Sequence, residues 1–113
     1  MTNDSTNHLA PLRRLTETDL CGWLGRAAPG EMLEYHRGFL ALDSVAQTHR
    51  LPERQRLDLI RVARRAIWAA EHGFAHPVQR RHGTDDYSYL LIARPRPKGT
   101  SASLSVLLGA EAA

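Results

Sequence analysis

The stretch LPERQRLDLIRVARRAIWAAEHGF, residues 51–74, decides how this chain is read. Leu57, Ile60, Ala63, Ile67, Ala70 and Phe74 recur at intervals of 3, 3, 4, 3 and 4, the repeat of one continuous helix face. Pro52 and Glu53 suit a first turn: proline there lacks only an amide the helix would leave unpaired, and the carboxylate complements the helix dipole. Gly73 is a natural stop. The spacing predicts a helix from about Pro52 to His72 with that row in the core. A second row, Arg54, Asp58, Arg61, Arg65, Trp68 and His72, runs at intervals of 4, 3, 4, 3 and 4 on roughly the opposite side. Leu59, Val62, Ala66 and Ala69 add an apolar flank, so the helix is expected to be covered on two sides and to present arginines on another.

Toward the N-terminus, Thr16-Glu17-Thr18-Asp19 has capping-box spacing, with the Thr16 hydroxyl able to accept from the amide three residues on. Leu20, Trp23, Leu24 and Ala27 follow at helical spacing as a buried face, and Pro29-Gly30 ends that helix. Glu31 to Arg37 reads as a strand, with Gly38 as a bend, bulge or stop. Phe39 to Leu42 could continue the strand, return as a hairpin arm or open a short helix to about Gln47; the short helix is preferred. Toward the C-terminus, His76 to Arg81, a polar turn over His82 to Asp86, and Tyr87 to Arg94 predict a β-hairpin with a loop longer than two residues. Alternation puts Tyr87, Tyr89, Leu91 and Ala93 on one side of the pleat, and Ser88, Leu90, Ile92 and Arg94 on the other. Residues 16–94 are expected to form the domain, after a flexible lead-in at 1–15. Residues 95–113 read as a flexible or docking extension.

The chain has 113 residues, 42% of them hydrophobic and 24% charged, which fits one globular domain. No apolar run approaches the roughly 18 residues of a membrane span. Met1 to His8 is polar and lacks a signal-peptide core, so a cytoplasmic location is expected. The net charge is +3, and Lys98 is the only lysine among 15 basic residues. Such arginine bias reflects either a GC-rich genome or a need for the paired hydrogen bonds that guanidinium gives to phosphate and carboxylate.

Neither metal chemistry nor catalysis has a pattern here. Cys21 is alone, so it forms no internal disulfide and no cysteine-rich zinc site. His72 and His76 are four apart, but Gly73 interrupts the helix between them, and nothing fixes His36 or His82 beside them. Cys21 reads as a small buried thiol, and the geometry of His36 and Asp43 as its partners is not fixed by sequence. Glu31 and Glu34 make no convincing acid–base pair. There is no nucleophile elbow, HExxH, phosphate-binding loop or dinucleotide glycine pattern. No cofactor and no enzymatic activity are expected.

The order helix, strand, short helix, long helix, hairpin resembles a winged helix-turn-helix domain, an α+β fold, over Thr16 to Arg94. Ala70 to Arg81 and then Tyr87 to Leu90 look like the passage from the last helix into the wing. Ala28-Pro29-Gly30 and Tyr35 to Asp43 are also similar to small, largely uncharacterised proteins encoded in proteobacterial prophages. The resemblance implies a small nucleic-acid-binding protein of phage type, such as a transcriptional regulator. Its long helix would lie along the DNA major groove, with Arg54, Arg61 and Arg65 on phosphates or bases, and Arg80 and Arg81 of the wing on the backbone. The alternative is a protein-interaction module, such as a phage inhibitor of a host system, that sets Trp68 and His72 with the arginines against an acidic partner. A homodimer through residues after Thr100 is a further expectation. Two departures stand beside these implications. The long helix exceeds a typical recognition helix, and a Trp lies in its arginine row. The simpler readings are a solvated arginine face with Asp58 pairing to its neighbours, and a Trp68 packed beneath the wing.

Overall fold

The computed structural model describes residues 14–95. Of the lead-in expected over residues 1–15, residues 1–13 lie outside the described residues, while Arg14 bonds to His36 and Leu15 packs against the core; of the extension expected over 95–113, all but Pro95 lies outside them. In chain order the elements are α1 (Glu17–Arg26), β1 (Met32–Gly38), α2 (Leu40–Asp43), a 3-10 turn (Ala46–Thr48), α3 (Glu53–Glu71), β2 (Ala75–Gly83) and β3 (Asp86–Ala93). This is a mixed α+β domain with three α-helices and an antiparallel sheet of order β1-β3-β2.

The capping box forms as its spacing predicts. The Thr16 hydroxyl accepts from the Asp19 amide at 3.2 Å, and the Asp19 carboxylate accepts from the Thr16 amide at 2.9 Å. Leu20, Trp23, Leu24 and Ala27 are buried, as the helical spacing requires.

The long helix has the expected length but another phase. Its core row is Leu59, Val62, Ala66 and Ala69, joined by Arg65 and Trp68. Leu57 is 38% exposed and Ile67 57% exposed, although both belong to the row assigned to the core. The reason lies in what surrounds α3. The sheet and α1 meet it on adjacent sides, so its buried arc is centred between them, and the two apolar rows compete on position rather than on hydrophobicity. Val62, Ala66, Trp68 and Ala69 therefore pack with Leu20, Trp23 and Leu24 of α1, Leu91 and Ala93 of β3, and Phe74 and Ala75.

The hairpin loop is tighter than predicted. Gly83 pairs with Asp86, leaving Thr84 and Asp85 as the loop. Asp85 takes a left-handed conformation at φ 54°, which aspartate tolerates better than most residues, and a register irregularity between Arg81 and Gly83 absorbs the extra length. Pro77 sits in β2, an edge strand, where a missing amide need not break a ladder.

A register shift in β1 between Glu34 and His36 leaves Tyr35 as an extra residue. Tyr35 packs against the core while His36 lies opposite Tyr89 and is 4% exposed. His36 joins the segment after β1 to the sheet. Its Nδ1 accepts from Arg14 Nη2 at 2.9 Å, which places the ring proton on Nε2, donated to Asp43 Oδ2 at 2.7 Å. Asp43 also accepts from the Phe39 amide at 2.9 Å and from Arg50 Nε at 2.6 Å. The short helix preferred for this segment is thus real but only four residues long, and one carboxylate fixes both of its ends.

Gly38 shows how closely this corner is built. Its φ is +139°, and a Cβ added there would lie 2.5 Å from Asp43 Oδ2. A left-handed strain of this kind costs about 1–3 kcal/mol. Gly38→Ala is therefore expected to lower the urea midpoint by that amount of stability. An unchanged midpoint would mean that the Asp43 corner yields freely.

Candidate interaction surface

The phase of α3 determines which side chains it offers to other molecules. Arg54, Leu57, Arg61, Arg64 and Ile67 are exposed, with Ile60 and Ala63 half-buried beside them. Residues three or four apart on a helix are surface neighbours, so Leu57, Ile60, Arg64 and Ile67 make one continuous row. Arg54 and Arg64 have no ionic partner among the described residues, and Arg61 reaches Asp58 only at 3.5 Å. An apolar row edged by unpaired guanidiniums is unlike the purely polar outer face of a solvated helix.

The residues proposed from sequence for nucleic-acid contact do not form one surface. Arg54 and Arg61 are exposed on α3, whereas Arg65 is 6% exposed. Its Nε and Nη2 both donate to Glu17 Oε2, at 3.0 and 2.8 Å, and its guanidinium lies 5.0 Å over the Trp68 ring. Leaving that pair for a phosphate would strand Glu17 at the α1–α3 contact. Arg80 lies opposite Ser88, on the side of the pleat away from the helices. Arg81 lies opposite Tyr87, on the helix side, and its Nε donates to the Gly83 carbonyl at 3.2 Å. The two hairpin arginines therefore point to opposite faces of the sheet.

The alternative reading set Trp68 and His72 at the surface as partner contacts, against the simpler reading of a packed Trp68. Trp68 is packed, 8% exposed, and stacks against both His72, at 4.5 Å between centroids, and Phe74, at 5.6 Å, which also face each other at 6.4 Å. His72 is exposed and its Nδ1 donates to the Trp68 carbonyl at 2.9 Å, closing the end of the helix. Trp68 is core because the phase of α3 turns it toward Phe74.

Arg65 and Trp68 keep one unusual property. Arg65 Nη1 and Trp68 Nε1 are buried donors with no acceptor among the described residues. An unsatisfied buried donor costs about 1–3 kcal/mol. Both residues line a pocket of ≈ 260 Å³ at the α1–α3 crossing, together with Glu17, Arg61 and Arg64. Cys21 lies near this region, not near His36 and Asp43, which bond to each other. Burial pushes the Cys21 thiol above its ordinary value, the Arg65 charge opposes this and the Glu17 charge adds to it, so the thiol is held protonated. A larger groove of ≈ 680 Å³ runs between α1, β1 and α3 and is edged by Arg14, Arg26, Arg37, Asp19 and Glu34, charges of both signs. Among the described residues no three His, Cys, Asp or Glu side chains gather as a metal centre requires.

Arg64, Ile67 and Glu17 were not singled out from sequence. Arg64 adjoins Arg65 in the chain but falls outside the regular arginine row. Ile67 looked like core, and Glu17 acquires its role only through a partner 48 residues away. Compared with known family models, curated proteins and solved structures, the chain matches none.

Proposed function

We propose that this chain is a small protein-interaction module whose α3 outer face receives an amphipathic, acidic segment of a partner protein. The observation that carries this reading is the row Leu57, Ile60, Arg64 and Ile67, in which apolar side chains stand in solvent between guanidiniums. The buried centre of a protein interface is more apolar than its rim and retains arginine, whereas nucleic-acid interfaces are more polar and more positively charged. Ile67 is the anchor of this surface because it is the most exposed of the large hydrophobic residues.

One observation favours the second reading, nucleic-acid binding on a winged-helix scaffold. The element order α-β-α-α-β-β with the antiparallel sheet β1-β3-β2 is compatible with that reading, and Arg54, Arg61 and Arg64 share the helix that would enter a groove. Against it, α2 is a single turn, and Arg65 and Arg80 are directed away from that surface. Fold alone does not choose between these functions.

Affinity capture from cells of the source, comparing the natural chain with Ile67→Asp and Arg80→Ala, tests the proposal. A partner is expected to be retained by the natural chain and by Arg80→Ala but lost with Ile67→Asp. Losing one buried aliphatic anchor is worth on the order of 2 kcal/mol, roughly thirtyfold in affinity. If Ile67→Asp captures the same proteins, while a labelled duplex binds with a steep salt dependence that Arg61→Ala and Arg64→Ala flatten, the nucleic-acid reading replaces it.

A further inference from the structure

We propose that the sheet face turned away from the helices is a docking surface for this chain's own residues 100–113. Alternation along the strands divides the side chains between two faces. Leu33, Ala75, Leu91 and Ala93 join the helices in the core cluster. The opposite face carries two cross-strand rows, Met32–Ile92–His76 and Glu34–Leu90–Val78. Met32, Ile92, Leu90 and Val78 thus adjoin as an apolar patch on the side away from that cluster. An antiparallel strand with one face in water alternates apolar with polar side chains, and β3 does not. Ser88, Tyr89, Leu90 and Leu91 are buried in succession, the pattern of a strand covered on both faces. Leu90 is 6% exposed although it stands outside the core cluster, and Met32, at the rim of the patch, is 48% exposed.

The course of the chain names the occupant. β3 ends at Ala93, and Pro95 and Pro97 bring no amide with which to prolong its ladder. The described residues therefore end at the Met32–Ile92 side of the patch. From Pro95 to Leu104 there are nine residues, a reach of about 30 Å when extended. Ile92 and Ser88 lie only about 14 Å apart along the strand, so the whole patch is within that reach. Residues 99–113 hold one charged side chain, Glu111, and gather Leu104, Val106, Leu107 and Leu108 within five positions. Their apolar content matches the patch. Being tethered, they meet it at an effective concentration that a second copy or a separate protein must exceed. This inference is independent of the α3 outer face, because it needs neither Leu57 nor Ile67.

Met32 reports on the covering. The chain has two methionines, so methyl-labelled methionine gives two signals, and that of Met32 is identified by its absence in Met32→Leu. In the full natural chain, nuclear Overhauser contacts are expected from the Met32 methyl to leucine or valine methyls of residues 104–108. The double variant Leu104→Asp with Leu107→Asp is expected to remove those contacts and to move the Met32 methyl toward the position of a methionine in water. The Trp23 indole signal is expected to stay in place, which marks an intact domain. A Met32 methyl that the double variant leaves unmoved overturns the proposal. If the variant fails to fold, the natural chain decides alone, because absence of the contacts there overturns it too. Contacts seen only between labelled and unlabelled chains in a mixed sample put a second copy on this face and likewise overturn it.

Discussion

An Asp43→Ala protein is expected to lose about 3–5 kcal/mol of stability, the cost of removing one partner from a buried, hydrogen-bonded charge pair. Asp43 is 6% exposed and accepts from three groups at once: the His36 ring, the Arg50 guanidinium and the Phe39 amide. Alanine leaves the His36 N–H unpaired and releases the start of α2. Equilibrium urea unfolding measures the loss, and a change below about 1 kcal/mol would show that water replaces the carboxylate. Asp43→Asn is expected to lie between the two, because the amide can keep one acceptor while losing the charge.

The same corner sets a pH dependence with a definite sign. Burial lowers His36 below its ordinary 6.5; the Asp43 hydrogen bond opposes this in part, and the nearby Arg14 charge adds to it. As the pH falls below 6.5 the unfolded chain takes up a proton that the folded ring refuses, so stability declines from there down to the folded value. Burial by itself would raise Asp43, but the hydrogen bonds from Arg50, His36 and the Phe39 amide outweigh it and hold the carboxyl below its ordinary 3.8. Stability from Asp43 is therefore complete above that value and is lost as the pH falls through the folded one. Urea unfolding at pH 7.5 and 5 is expected to show the decline due to His36, with that of Asp43 entering only below pH 4.

A Trp68→Ala protein is expected to lose about 3–5 kcal/mol, the range for deleting a buried indole. The cost is cooperative in origin. The indole fills space against Phe74 and Ala69 and also carries the Arg65 guanidinium on its face. Trp68→Phe, which keeps an aromatic ring against His72 and Phe74, should recover most of the loss. Thermal unfolding of the pair separates the packing role from any surface role. A fully stable Trp68→Ala chain would place the indole outside the core.

Local features were legible in the sequence, and those set by distant partners were not. Thr16 and Asp19 lie three residues apart, so their mutual capping is written in the chain, and so is the extent of α3 between Pro52 and Gly73. The rotation of α3 is different. Leu57, Ile60 and Ile67 are more hydrophobic than Ala66 and Ala69, and intrinsic preference favours the row that ends in solvent. Only the approach of α1 and the sheet on adjacent sides reverses that order. Arg65 illustrates the same limit at the candidate site. It stood in an apparently exposed arginine row, and Glu17, from the other helix, accounts for its burial. His36 and Asp43 were noticed as possible partners of Cys21, but the bulge at Tyr35 turns the histidine toward the aspartate instead.

The strand order also bears on how the chain assembles during its own synthesis. β1 leaves the ribosome well before β3, its only sheet partner among the described residues and the last described element. β2 and β3 close locally across Thr84 and Asp85, while β1 must wait for a partner more than fifty residues downstream, as Leu33 does for Leu91. In that interval the hairpin carries Leu90-Leu91-Ile92 along an unpaired edge, a segment open to wrong pairings. Pro77 guards the opposite edge of the hairpin. The edge left to β1 has no such guard, so until β1 docks the half-built sheet is exposed to wrong pairing along it.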